Sequence, residues 1–424
     1  MRHHAGYATV IFGAMFPLAV CAEIDPTALL DQARAKIGKN MERLPKYTCV
    51  QTVQRFRFET IPAIRPQGCR QDPQADSRLM LFWADRLKLD VTVSAGAEIF
   101  SWIGARGFQS GDVDRIVGGG MTGTGDFGPF LGSVFFAKGV EYRYLGLRQN
   151  EGRAFMAYHY RVPLAASRYQ AKVGPRREDL AAMAYEGTFW VDPENAELGR
   201  MTIEVPQPPA GSRECRVEST IDYRRVGIGD SDLLLPRLTV LKIWDTEAER
   251  FENHIEYSGC RAFQAESVFR TDLDAPGGDS TVAQEPVAIP SGIGVKIALR
   301  SIIDSGNSFA GDAIDGELLN AVWARGKLLV PAGAIAHGRI VRFERQYQPS
   351  NYFALGLKFD SIEVHGTEVP LTLVGANRSK RDRVLAGAIE SRQGVGIFMF
   401  QAERLTLDRT FVSEWKTAAG KPLE

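Results

Sequence analysis

Between Leu87 and Val93 the chain alternates strictly: Leu87, Leu89, Val91 and Val93 are apolar, while Lys88, Asp90 and Thr92 are polar. A period of two sends successive side chains to opposite faces, so this segment predicts a strand with one buried and one wetted side. Similar signals recur at 47–58, 79–83, 99–103, 142–146, 154–162, 187–191, 200–205, 218–226, 236–244 and 253–257, separated by turns such as Asp192-Pro193-Glu194-Asn195. Short strands at this spacing predict one large curved antiparallel sheet or open barrel rather than βαβ units. Residues 178–184 read as a short helix or a loop. Ahead of the strands, Leu30, Ala33, Ile37, Met41 and Leu44 recur at steps of three or four, which predicts a helix. Asp25 suits its N-cap, Pro26 its first turn, and Ile24 can staple onto Leu29. Pro45 ends it. Its single apolar stripe needs a partner, and the sheet is the available one.

The composition shifts over Asp272-Leu273-Asp274-Ala275-Pro276-Gly277-Gly278-Asp279-Ser280, where few residues could be buried, and this predicts a linker over 272–288. Alternation resumes at Ile293, Val295, Ile297 and Leu299. Lys327 to Val330 runs into Pro331-Ala332-Gly333, placed for a type I turn, and Ile335 to Phe343 returns. Phe353, Leu355, Leu357 and Phe359 then alternate, a His365-Gly366 turn joins two short strands, and 396–403 gives a last strand. The expected fold is mainly β, with an α+β first domain. A helix-capped curved antiparallel sheet or half-barrel over 23–271 is followed by a smaller barrel- or sandwich-like β domain over 289–408 and a polar tail over 409–424.

The first residues have the form of a signal peptide over 1–22: Arg2, an apolar run from Ala8 to Leu18, and a small-x-small site at Val20-Cys21-Ala22. Cleavage after Ala22 is expected. The run is too short to span a bilayer and no later stretch is long enough, so the mature chain is expected without a membrane span. Cys21 sits in a weak lipobox, with Val20 where a small residue belongs. Export places the protein in the periplasm or outer envelope, where disulfides persist, and Cys49, Cys69, Cys215 and Cys260 suffice for two. Sequential order favours Cys49 with Cys69, and the other pairings stay open. Lysine plus arginine equals aspartate plus glutamate, 51 each, so no net field draws the chain to nucleic acid. The basic run Arg378 to Arg383 reads as a solvated loop.

Candidate chemistry is sparse. Gly123, Gly125 and Gly128 fit G-x-G-x-x-G, but a dinucleotide turn needs a preceding parallel strand and a following helix, and Pro129 comes at once. The segment reads as a loop that uses glycine for positive φ. His159, His254, His337 and His365 are widely spaced, without the close ligand spacing of a zinc or iron site, so no metal or cofactor is expected. Asp112 and Asp114 lack the alternating oxygen ligands of a calcium loop. No nucleophile elbow appears, and Ser413-Glu414-Trp415-Lys416 stands without companion motifs. The aromatics say more. Phe82, Trp83, Phe100, Trp102, Phe189 and Trp190 lie on predicted strands, and the neighbours Phe82-Trp83 and Phe189-Trp190 must face opposite ways. Packing under the helix is one account of these rings. The other is an apolar ligand held between sheet and helix, with these six as its lining.

The leading helix, the curved sheet and the segment Trp190-Val191-Asp192-Pro193-Glu194-Asn195-Ala196-Glu197-Leu198 resemble the LolA and MucB/RseB class of periplasmic lipoprotein carriers and sensors. That resemblance implies a half-barrel that binds acyl chains or lipoprotein. Ile289-Pro290-Ser291-Gly292, Gly311-Asp312, Val330-Pro331-Ala332-Gly333-Ala334 and Gly338-Arg339-Ile340 occur in the order seen in the β domain of TrbI-type conjugation-channel proteins, to which the second domain is similar. The membrane and antenna helices of that family are not evident. The reading is a non-enzymatic envelope protein, its first domain binding a lipid-like or lipoprotein partner and its second mediating assembly with an envelope protein. The competing readings are a structural module without ligand and a hydrolase with dispersed catalytic residues.

Overall fold

The computed structural model describes residues 24–43, 47–60, 68–69, 79–94, 97–105, 108, 113–117, 125–150, 152–174, 176, 179–262, 289–375 and 394–418. The leader with Cys21, the 272–288 linker, Asp112 and the basic run 378–383 lie outside them. Helix α1 (Pro26–Met41) begins as its sequence dictates, with the Asp25 side chain accepting from Thr27 N–H, and it buries Leu29, Ala33 and Ile37. Strands β1 (Tyr47–Thr60), β2 (Leu79–Ser94) and β3 (Ala97–Trp102) follow. Two helices interrupt them, α2 (Val113–Val117) and α3 (Pro129–Phe136). Then come β4 (Glu141–Asn150), β5 (Arg153–Val162), β6 (Tyr185–Val191), β7 (Leu198–Val205), β8 (Glu214–Ile228), β9 (Ser231–Asp245) and β10 (Glu249–Ala262). Residues 180–182, expected as helix or loop, pair with 170–172 as a small separate ribbon.

These ten strands form one antiparallel sheet in the order β4-β5-β6-β7-β8-β9-β10-β1-β2-β3. Strand β1 thus enters between β10 and β2. That insertion decides the cysteines: β1 and β10 are neighbours, and the disulfides are Cys49–Cys260 and Cys69–Cys215, not Cys49–Cys69. Sequential order misleads here because it ignores the strand order. Both bridges suit a protein exported to an oxidising compartment.

The second domain contributes β11 (Gly294–Leu299), β12 (Ala313–Leu318), β13 (Val322–Ala324), β14 (Lys327–Val330), β15 (Ile335–Gln346), β16 (Tyr352–Val364), β17 (Leu373–Gly375), β18 (Gly396–Phe400) and β19 (Val412–Thr417). Residues 412–417, expected in a polar tail, are a strand that pairs with β11 and β17 and buries Trp415 to 1% exposure. The ring sits edge-on against Phe359, 5.5 Å away. The start of β15 pairs with β12, and its end, Glu344 to Gln346, pairs with Asp85 to Trp83 of β2. The second domain therefore continues the open edge that β3 leaves uncovered on β2. The whole is a large curved antiparallel sheet that does not close, in agreement with the half-barrel expectation.

Candidate functional site

The register aligns one row of side chains across eight strands: Tyr158, Phe189, Met201, Ile221, Thr239, Ile255, Val53 and Leu87 are successive cross-strand partners. All are buried, and seven of the eight carry a largely apolar side chain. This is the inner face. On its β5–β9 half lie α1 and α3, which share one core with the sheet through Leu29, Ala33, Ile37, Phe130, Leu131, Val134 and Phe135. The Phe135 ring meets Phe189 edge-on at 4.9 Å, and Tyr158 stacks on Phe189 at 5.1 Å. On the β10–β3 half, α2 supplies Val113, Ile116 and Val117 beside Phe127, Phe100 and Val91.

Polar groups fix the cover at its ends. Asn40, near the end of α1, both donates to the Leu234 carbonyl and accepts from the Leu234 N–H, each at 2.7 Å. Arg34 Nε donates to the Phe135 carbonyl at 3.0 Å and the Tyr142 hydroxyl donates to the Val134 carbonyl, satisfying acceptors at the end of α3 that the helix cannot. At the start of α3, Glu98 on β3 accepts the N–H groups of Gly125 and Phe127 at 2.8 and 2.6 Å. Asp126 between them accepts the Tyr257 hydroxyl at 3.0 Å, and Tyr257 accepts from Gln51. Burial pushes Glu98 up to about 7, the nearby Asp126 charge adding to it, and burial pushes Asp126 up to about 6. The Tyr223 hydroxyl lies near both acids, buried and, among the described residues, without a hydrogen-bond partner.

The six aromatic candidates do not share one place. Phe100 and Phe189 are buried to 1% and 0% in the two separate cores. Trp102 lies at the rim beside Gly311 of the second domain. Trp83 donates its indole N–H to Glu344 at 3.1 Å and sits under Arg55, while the Arg57 guanidinium covers Phe82. Trp190 faces away from Phe189, as the alternation requires, with Arg200 over its ring at 5.1 Å. The residues that sequence reasoning passed over are those of α3, together with Glu98 and Asp126. The only available signal was the apolar run after Pro129.

The glycine motif has a different use from the one it imitates. Pro129 opens α3 rather than barring a helix, and Gly125 has φ +107°. The two N–H groups that a phosphate would need are held by the Glu98 carboxylate. Among the described residues no three His, Cys, Asp or Glu side chains converge as metal ligands. His254 meets Glu252, which also pairs with Arg250, at 2.7 Å, and His337 meets Asp315 at 2.8 Å. No described helix is long and apolar enough to cross a membrane.

No protein-family model matches the chain, and no curated protein matches it. Solved structures similar to part of it include a DUF1329 family protein from Desulfovibrio piger, with 10% identity over 57% of this chain and 94% of that one, at a TM-score of 0.27. A protein described as an outer membrane lipoprotein-sorting protein domain, from Vibrio parahaemolyticus, has 9% identity over 58% and 95%, at 0.27. The lipoprotein LppX of Mycobacterium tuberculosis has 11% identity over 55% and 95%, at 0.20. Superpositions this loose carry no argument about ligand or partner.

Proposed function

We propose that this chain is an exported, non-enzymatic envelope protein whose first domain takes up a lipid-like molecule or the lipid moiety of a lipoprotein on its inner face, and whose second domain mediates assembly with an envelope partner. The observation that carries the reading is the nature of the cover. Helix α3, Pro-Phe-Leu-Gly-Ser-Val-Phe-Phe, is apolar almost all round and rests on the apolar β5–β9 half of the inner face. Packing on such a surface is non-directional, so an acyl chain can replace the helix against the same side chains at little cost in lost contacts. The polar groups that hold α3 stand mainly at its two ends, with Ser133 beside the Tyr185 hydroxyl between them. Uptake requires α3 to lift, and the arrangement described is the closed one.

The full burial of Phe135 against Phe189 favours the second reading, a module whose inner face is permanently filled by its own side chains. Native mass spectrometry of protein purified from envelope fractions without detergent separates the two. A bound mass that organic extraction releases as lipid is expected, together with uptake of a fluorescent fatty-acid probe. Protein that carries no lipid and takes up no probe leaves the filled module standing.

A further inference from the structure

A departure from the balanced, mixed-charge composition lies on the second domain. Strands β13 and β14 make a two-stranded hairpin of their own, closed by Arg325 and Gly326, both with positive φ at +49° and +77°. That pair of dihedral signs is the tight hairpin turn whose twist matches its strands. Val322 and Val330 point inward and are buried to 2% and 0%. Their neighbours point out: Trp323 and Leu328 face each other across the strands at 57% and 43% exposure, with Leu319 beside the hairpin in sequence at 48%. From Leu318 to Ala336 the sequence contains no carboxylate, and its only full charges are Arg325 and Lys327. Both are exposed, and among the described residues neither meets an acid.

We propose that this hairpin docks the protein on an anionic phospholipid bilayer, Trp323 and Leu328 entering the interface while Arg325 and Lys327 meet the headgroups. Tryptophan suits that boundary because its ring is apolar and its N–H can stay wet. Two unpaired cations at the tip complement an anionic surface, where each is worth about a fivefold gain in partitioning. The same charges argue against a second copy of this chain, since a self-paired hairpin would bring like charges together. The inference stands apart from the lipid uptake proposed for the first domain. A protein can dock on a bilayer without extracting anything from it.

The test is cosedimentation of the full chain with vesicles of phosphatidylglycerol and phosphatidylcholine, against phosphatidylcholine alone. Binding is expected to the anionic vesicles, to weaken with added salt, and to fall about fivefold for each of Arg325→Gln and Lys327→Gln. Trp323→Ala is expected to lower binding too and to abolish the quenching of tryptophan fluorescence by brominated lipid that is specific to this residue. All three side chains are exposed, so an unchanged melting temperature in each variant excludes misfolding as the cause. Equal binding by the wild type and these variants overturns the proposal, as does no binding to either vesicle. Concentration-dependent association in solution that Trp323→Ala removes, without vesicle binding, also overturns it and reassigns the face to self-association.

Discussion

Glu98 shows how burial and hydrogen bonding compete at one side chain. Two N–H donors favour its ionised form, yet desolvation outweighs them and holds its proton up to about pH 7, against 4.5 for the exposed group; Asp126 follows at about 6, against 3.8. Both acids are therefore more protonated folded than unfolded between about pH 4 and 7. The native state then binds more protons, so stability is greatest below that window, falls as pH rises through it and levels above about 7. The change attributable to Glu98 is on the order of 3 kcal/mol. Urea titrations from pH 4 to 8 should show this decline, and Asp126→Asn, which keeps an acceptor for Tyr257, should flatten its lower part. A stability that rises through the same range would refute the assignment. Neither acid was legible in the sequence, because a glutamate on a strand and an aspartate in a glycine loop look like solvated groups until the fold buries them. Gly311 and Gly338 were legible only as motif positions. Their reason is spatial: a Cβ at either would stand 2.2 Å from a carbonyl oxygen, that of Lys88 or Lys358.

Elements with a clear period were readable and those without one were not. Most alternating strands of the first sheet lie where the pattern puts them, extended at their ends, and α1 buries the expected stripe. But 79–83 and 87–93, expected as two strands with an Asp85-Arg86 turn between them, form the single strand β2, because both residues pair in register with β1. Helix α3 escaped because a helix that is apolar on nearly every side has no stripe to detect. Strand β19 escaped for the opposite reason. Its inward positions are Ser413, Trp415 and Thr417, so two of three buried side chains are polar, and the alternation vanishes in hydropathy. The disulfides could not be read because Cys49–Cys260 records that β1 and β10 are neighbours, a non-local fact, and Cys69 and Cys215 are left to each other. For α3 the packing makes a quantitative demand. Phe135→Ala removes a fully buried ring between helix and sheet, and the loss should be about 3–5 kcal/mol in denaturant unfolding. Hydrogen exchange should quicken over 129–136 before it does over β5 and β6. A loss below about 1 kcal/mol would mean that α3 does not close the inner face in solution.

At the scale of the molecule, the sequence divides the chain at 272–288, while the structure joins what lies on either side of it. Leu87 and Val91 of the first sheet belong to one core with Ile297, Phe359 and Trp415 of the second domain. The junction is also polar and buried. Arg55 donates to Asp85 at 2.8 Å with both side chains 3% exposed, Asp85 stands opposite Glu344 in the β2–β15 ladder, and Glu344 accepts from Arg342 and Trp83. Lys88 adds a pair with Asp312 at 3.0 Å. Desolvation raises the Asp85 carboxyl despite the Arg55 charge, so the ion pair is held against a real solvation cost. Removing Arg55 would leave that carboxylate buried beside Glu344, and Arg55→Leu should therefore cost about 3–5 kcal/mol. Because one sheet and one core run through the junction, the loss should not stay in the first domain. Calorimetry of the wild type should show a single cooperative transition, and in Arg55→Leu hydrogen exchange should rise together in β1, β2, β11 and β19. Two transitions, or exchange that rises in β1 and β2 alone, would show the halves to be independent units that meet only at a strand edge.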